Sequence, residues 1–462
     1  MDNKLLKLFF AALVALLSLH ALPASSIALP PSKRGAAHTA AAPVVAPVAP
    51  AADGHWVSVF TTMPQLTEPQ NLPPAPFNQT GRVFADSTIR QTVRVTQGGA
   101  QLRFRFSNAF GVTELPITAV TVARAPGGSG SSQIDTATLR TLTFSGSESF
   151  VVPNGALVVS DVVDFEVDPL DVLSITMYLQ DGQESNMITG HPGSRTTSFF
   201  SQGNHVSDED LGWGAQSVEH WYFIDVIEAW EPMDFGSLII IGDSITDGRG
   251  SINNENNRWP DLLNERILRN PSTAHIAIGN QAAGGNRVLR DGLGPNALSR
   301  IDRDVLAQSA VQYVLIFEGV NDIGGEEASE SAQTAVGDRL VAALDQIAAR
   351  VRAQGIPIFA ATITPFGDAA ASSGYTAPSR ERTRGRVNEW IRSSGVFDAV
   401  VDFDAMLRDP DNPQRLRQQF NSGDNLHPSV AGYQQIADEF PLDIFEQFAG
   451  GVSGLKGLGM QM

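Results

Sequence analysis

IIIGDSITDG, residues 239–248, breaks a run of apolar residues with a small, an acidic and a hydroxyl residue in succession. The run itself, SLIIIGDS at 237–244, has no polar alternation. A short continuous apolar stretch that stops at turn residues marks a strand buried on both faces, as in a parallel sheet. Its abrupt end has two meanings. It is an ordinary polar turn, or it holds Ser244 as a nucleophile at the tip of a strand. A Gly-Asp-Ser tripeptide arises by chance in a chain of this length roughly a few times in a hundred, so the flanking sequence has to decide.

Downstream the pattern repeats. AHIAIGNQ (274–281), VQYVLIFEG (311–319), IPIFAATITP (356–365) and FDAVVDFD (397–404) read as further strands. Helical stretches separate them: RWPDLLNERILRN, ALSRIDRDVLAQS, SAQTAVGDRLVAALDQIAARVRAQG and SRERTRGRVNEWIRSS, with SVAGYQQIADEFPLDIFEQF closing the series. Strands alternating with helices predict a parallel five-stranded sheet with helices on both faces. Upstream the period is different. STIRQTVRV (87–95) and QLRFRFSN (101–108) alternate polar and apolar residues, as half-buried strands do. More strands of this kind run to WYFIDVIEAW (221–230), separated by Gly, Ser, Pro and Asp clusters. This half predicts an all-β sandwich of jelly-roll type.

Composition narrows the chemistry. The 462 residues carry a formal net charge of −18, which argues against nucleic acid or anionic lipid as a partner. There is no cysteine, so disulfides, thiolate catalysis and Cys-ligated zinc are excluded. The lysines are Lys4, Lys7, Lys33 and Lys456, all in terminal segments, which removes lysine as Schiff base or general base. Ser, Thr, Asp and Glu remain as the main nucleophiles. At the N-terminus, Lys4 and Lys7 precede the apolar LFFAALVALLSLHAL, and Ser26-Ile27-Ala28 offers a small-residue cleavage site. Residues 1–28 therefore predict a signal peptide and a secreted protein. Residues 29–53, with Lys33-Arg34 and an Ala/Pro-rich run, read as propeptide or linker. The expected domains are 54–232 and 236–449, followed by a flexible tail at 450–462. No membrane anchor is expected, and a monomer is. Asn78-Gln79-Thr80 is an N-glycosylation sequon.

Four of the five strands of the second half lead into candidate chemistry. The first ends at Asp243-Ser244, the second runs into Gly284-Gly285-Asn286, and the third into Gly319-Val320-Asn321-Asp322. After the fifth comes SGDNLHPS (422–429), with Asp424 and His427. In such sheets ligands bind at these C-terminal strand ends. Each fragment alone is a turn or loop; together they form a set. Ester hydrolysis needs a nucleophile, a base, a group that orients the base, and donors for the oxyanion. Ser244 supplies the hydroxyl and His427 a base that works near neutral pH. Asp424, three residues before His427, can reach the far ring nitrogen. The backbone N–H groups of Gly285 and Ser244 and the amide of Asn321 can serve as oxyanion donors.

These residues resemble the SGNH (GDSL) hydrolase superfamily, whose four blocks carry Ser, Gly, Asn and His. Ser244 in GDSIT, Gly285 in GGNR, Asn321 in GVND, and Asp424 and His427 in the Asp-x-x-His pair match those blocks over about 236–449. The resemblance implies a flavodoxin-like sheet and ester hydrolysis without metal or other cofactor. Ala282 stands where many relatives have Gly, a mild departure. The N-terminal half resembles the β-sandwich that precedes the catalytic domain in some secreted carbohydrate esterases, which implies an acetylated plant polysaccharide as substrate. TGHPGSRTTSFF (189–200) either reaches toward the cleft or is an ordinary inter-strand loop.

Several other features carry less. GLGPNA (292–297) fits a loose dinucleotide pattern but does not directly follow a strand in a βαβ unit. DPDNP (409–413) and DFD (402–404) read as solvated acidic loops rather than calcium ligands. Trp56, Trp213, Trp221 and Trp230 could stack on sugar, with core packing the default. Asp247 and Arg258 flank the serine and receive no role. The leading expectation is a secreted serine esterase that deacetylates carbohydrate. Its competitors are a lipase-like or polyester acyl hydrolase, and an inactive carbohydrate-binding protein.

Overall fold

The computed structural model describes residues 53–212, 214–367 and 374–452. The signal-like segment, Lys33-Arg34 and the Ala/Pro-rich run, Trp213, and the tail beyond residue 452 lie outside the described residues.

The strand Gly236–Gly242 is buried along its whole length. Leu238 and Ile240 point into one apolar cluster, Ile239 and Ile241 into another on the opposite face. That is why its sequence shows no alternation: neither face meets water. It pairs in parallel with Ile276–Ala282 on one side and Val311–Phe317 on the other. Ile358–Ala361 and Ala399–Val401 continue the sheet in parallel. Ile276–Ala282 is thus an edge strand, and the spatial order 2-1-3-4-5 is the flavodoxin-like one. The strand order reverses between the first and third strands, so the crevice for a ligand opens where Gly236–Gly242 and Val311–Phe317 end. Helices Trp259–Arg269, Glu330–Arg352, Pro378–Ser393 and Val430–Glu439 cover the two faces. The segment expected as one helix at 297–309 runs as Ala297–Ile301 and continues as a π-helix, Asp302–Leu306.

The N-terminal half is antiparallel. One sheet holds His55–Thr61, Ile224–Glu231, Gly99–Ser107 and Leu157–Val159 in that order, with Val163–Val167 also pairing to Gly99–Ser107. The other runs Gln216–Val218, Ser198–Gln202, Ser87–Arg94, Val172–Leu179, Ala119–Arg124 and Arg140–Thr141. The two enclose one core that includes Val57, Phe104, Phe106, Ile175 and Phe200, a β-sandwich. Gly99–Ser107 alternates as its sequence predicts, with Leu102, Phe104 and Phe106 buried and Arg103 and Arg105 partly exposed. Ser87–Arg94 departs from a half-buried strand. Its polar face is buried as well, because Arg90 anchors the covering loops: its guanidinium donates to Ser132 O (2.6 Å) and Asp208 O (2.8 Å).

The sandwich lies against the edge strand of the parallel sheet. A side chain at Gly279 would come within 3.0 Å of Thr61 Cγ2 and 2.5 Å of Ile239 Cδ1, so only glycine permits this approach. Ile278 N–H donates to Thr96 Oγ1 (3.1 Å), whose hydroxyl donates on to Val59 O (2.8 Å). The edge strand thereby finds a partner for an otherwise open backbone group. Fully buried Glu228 is held by Arg103, Arg105 and Ser309 at the same seam. Both halves belong to one compact unit.

Candidate active site

The chain leaves the central strand at Gly242 and turns at once into the short helix Ser244–Asp247. Asp243 makes the turn: its carboxylate accepts the Ile245 N–H (2.9 Å), which caps the helix and leaves Ser244 at its first position. An N–H at that position has no partner inside the helix. Burial pushes the Asp243 carboxyl up to about 7, the charges of Asp322 and Asp247 add to the effect, and the Ile245 hydrogen bond opposes it.

His427 arrives from a loop folded around its own side chains. Asn421 Oδ1 accepts the N–H groups of Gly423 (2.9 Å) and Asn425 (3.0 Å). Ser422 N–H bonds back to His427 O (3.0 Å) and closes the turn. Asp424 Oδ1 accepts the His427 N–H (2.9 Å), and its Oδ2 meets His427 Nδ1 at 2.6 Å. The other ring nitrogen, Nε2, lies 2.8 Å from Ser244 Oγ. Burial alone would raise the Asp424 carboxyl. The hydrogen bonds from the His427 ring and backbone and from Leu426 outweigh it and hold the group well below the usual carboxylate range. Asp424 is therefore an anion, and an anion on Nδ1 fixes the imidazole with its proton there and the Nε2 lone pair toward the hydroxyl.

Gly284, Gly285 and Asn321 face the same space. Gly285 has φ +73°, and a side chain on it would strike Leu293 at 2.6 Å, so the turn requires glycine twice over. Asn321 Nδ2 donates to Asn286 O (2.9 Å), while its Oδ1 accepts from the Tyr375 hydroxyl (3.0 Å). The amide is thus held between two partners, and among the described residues its second N–H has no further one. Asp322 ties the short helix Val320–Gly324 to the glycine loop by accepting the N–H groups of Val288 (2.8 Å) and Leu289 (3.0 Å). Beneath the loops sits Arg300, buried, which donates to Gln281 O (2.7 Å), Asn286 Oδ1 (3.2 Å) and Glu318 Oε1 (3.3 Å). It binds the ends of the second and third strands into one floor.

The cleft above Ser244 has a volume of about 550 Å3. The parallel-sheet half supplies only part of its lining. Gln65, Glu68, Gln70, Asn71, Pro192, Gly193, Arg195 and His220 form a wall from the sandwich. Glu68 is held by Gln65 (2.6 Å) and Asn71 (3.0 Å), and His220 Nδ1 by Pro192 O (2.7 Å). The TGHPGSRTTSFF segment therefore reaches the cleft through Pro192, Gly193 and Arg195. None of the described tryptophans lines it: Trp221 and Trp259 are core, and Trp56 packs edge-on against Trp230 at 5.2 Å.

Sequence reading brought together Ser244, Gly285, Asn321, Asp424 and His427, and all five line one cleft. It left out Tyr375, Arg300, His191 and Asp247. Asp247, one helical turn after Ser244, was the detectable one; the others come from segments with no local mark. The GLGPNA loop serves this site rather than a nucleotide, for Asn286 Nδ2 donates to the carbonyls of Leu293 (3.2 Å) and Pro295 (2.8 Å). Among the described residues no cluster of His, Cys, Asp and Glu could hold a metal ion. Asp402, Asp404 and Asp409 instead pair with Arg392, Arg384 and Arg415. Arg258 pairs with Asp261 (2.7 Å) at a helix start.

No curated protein matches the chain. Among solved structures it is similar to a GDSL-like lipase from Bacteroides thetaiotaomicron, with 16% identity over 46% of this chain and 88% of that one and a TM-score of 0.34. It is similar to a catalytic mutant of an acetylxylan esterase from Geobacillus stearothermophilus, with 22% identity over 45% and 94% of the two chains and a TM-score of 0.34. A carbohydrate acetylesterase family member from Sinorhizobium meliloti is 14% identical over 46% and 98%, with a TM-score of 0.35. Residues 238–440 match the family model of the GDSL-like lipase/acylhydrolases. That match falls within the parallel-sheet half of the chain.

Proposed function

We propose that the protein hydrolyses carboxylic esters through Ser244, His427 and Asp424, and that its substrate is an acetylated carbohydrate. The observation that carries the reading is the hydrogen-bonded series from Ser244 Oγ through His427 to Asp424, open to the cleft. His427 Nε2 takes the hydroxyl proton as Ser244 Oγ attacks the ester carbonyl. The oxyanion that forms is met by the N–H groups of Ser244 and Gly285 and the free N–H of Asn321. His427 returns its proton to the departing alcohol, leaving an acyl group on Ser244. Water, activated by the same imidazole, releases the acid.

The lining supports a sugar ester over a long acyl chain. Gln65, Glu68, Gln70, Asn71, Arg195 and His220 offer hydrogen-bonding groups to hydroxyls, while among the described lining residues the aliphatic side chains are Pro192, Leu293 and Leu426. The test is hydrolysis of p-nitrophenyl esters from acetate to octanoate, with Ser244→Ala as blank, followed by acetylated xylan. A steep preference for acetate and acetate release from xylan are expected. A preference for octanoate would replace carbohydrate with lipid or polyester.

The same proposal has the chain exported by residues 1–28 and glycosylated at Asn78, whose side-chain oxygen accepts from Asn186 (2.8 Å). N-terminal sequencing and glycosidase treatment of the secreted product test both. Among the described residues no helix is long and apolar enough to cross a membrane.

A further inference from the structure

A second buried carboxylate–histidine pair crosses from the sandwich into the hydrolase half. Asp247 ends the short helix that Ser244 begins. Its Oδ2 accepts the N–H of Gly284 (2.8 Å), the residue before the expected oxyanion donor. Its Oδ1 meets His191 Nε2 at 3.0 Å. His191 belongs to the sandwich strand Thr189–His191, and its Nδ1 faces Met63 O at 3.1 Å. The ring stacks on Trp221 with centroids 5.8 Å apart. Gly193 closes over the carboxylate so tightly that a side chain there would lie 1.7 Å from Asp247 Oδ2. His191 and Gly193 come from one sandwich segment and Gly284 from the glycine loop, and all three converge on one carboxylate.

We infer that His191 is a positioning residue: acting through Asp247, the sandwich domain sets the Gly284–Gly285 turn in the place from which Gly285 donates to the oxyanion. The inference rests on the esterase reading above. Gly284 spends its N–H on Asp247, which fixes the orientation of the next peptide, and oxyanion donors act only when held where the charge develops. Met63 O accepts only, so His191 must donate from Nδ1. It then holds Asp247 either by donating from Nε2 or by accepting a proton from the acid. Removing the ring frees one end of Asp247 and lets the turn drift. A displacement of that order lowers rate far more than binding.

The experiment is steady-state kinetics of the full chain on p-nitrophenyl acetate. His191→Phe keeps the stack on Trp221 and removes the hydrogen bonds. Asp247→Ala removes the carboxylate, and Asp247→Asn keeps an oxygen for Gly284 and an N–H2 for a neutral ring. We expect His191→Phe and Asp247→Ala each to lower kcat about 10- to 100-fold with KM within about twofold. The double variant should be no slower than the slower single one, because both act along one path. Asp247→Asn should stay within about threefold of the parent, being fully paired. Unchanged kcat in His191→Phe, losses that multiply, or Asn as damaging as Ala would overturn the inference. If His191→Phe does not fold, His191→Gln and His191→Met give the same contrast, since only Gln can donate; equal activities overturn it. Ser244→Ala separates the two levels. Activity that survives it removes the esterase reading, whereas activity lost in it but indifferent to residue 191 removes only the role of His191.

Discussion

Two aspartate–histidine pairs meet at this cleft, one within the hydrolase half and one bridging the two halves. Asp424 and His427 sit 2.6 Å apart on a single loop of the hydrolase half. Asp247 and His191 sit 3.0 Å apart across the seam between the halves. Both histidines are buried and both lean on a carboxylate. What separates them is the partner of the second ring nitrogen. For His427 it is the Ser244 hydroxyl, which can give up a proton; for His191 it is the Met63 carbonyl, which cannot. The first ring has a lone pair to use, and the second has both nitrogens committed. Residue type and carboxylate partner are shared, so the third member of the series decides whether such a pair does chemistry or holds a shape.

The strongest way to break the contrast is to remove the first series. Ser244→Ala or His427→Ala should lower kcat on p-nitrophenyl acetate by about 10⁴- to 10⁶-fold. Asp424→Asn should cost about 10³- to 10⁴-fold, because the wrong tautomer then faces Ser244. A loss under tenfold in any of these would make the two pairs alike. Next comes the oxyanion side: Asn321→Ala should lower kcat about 10²- to 10³-fold with little change in KM. Asp424 stays ionised well below the usual carboxylate range, so it should add no step of its own to the acid limb of kcat/KM. A step in the usual carboxylate range that disappears in Asp424→Asn would mean that Asp424 is not held as described.

How far these features could be read in advance depends on whether the signal is local. Leu238–Ile241 advertised a strand buried on both faces, and the polar residues behind each such run marked the sheet's functional edge. Asp424 and His427 were readable because three residues separate them. His191 was not: it stands 56 residues before Asp247, and TGHPGSRTTSFF looks like any polar connection. Tyr375 is likewise 54 residues from Asn321. Arg90 shows the opposite failure. Alternation in STIRQTVRV suggested one wet face, yet the covering loops that bury it are some 40 to 120 residues away in sequence.

Smaller effects sharpen the picture. Tyr375→Phe removes one hydrogen bond to the Asn321 amide, worth about 1 kcal/mol, and should slow kcat by roughly fivefold. Stability should also report the buried carboxyls. Burial pushes Asp225, Glu231 and Asp243 up to about 7 from ordinary values of 3.8 and 4.5. Groups raised in the folded state contribute stability fully below their unfolded values and lose it as pH rises through the folded ones. Tm should therefore fall by several degrees between pH 4 and 7, less what other groups gain, and Asp225→Asn should flatten that slope. A slope unchanged by Asp225→Asn would mean that this carboxyl is ionised in the fold.

The most direct measurement is labelling with a fluorophosphonate, which phosphonylates an activated serine, followed by peptide mass spectrometry. The account predicts a single adduct on Ser244 that forms in the parent chain and in Tyr375→Phe but not in His427→Ala. No adduct on Ser244, or equal labelling without His427, would contradict it.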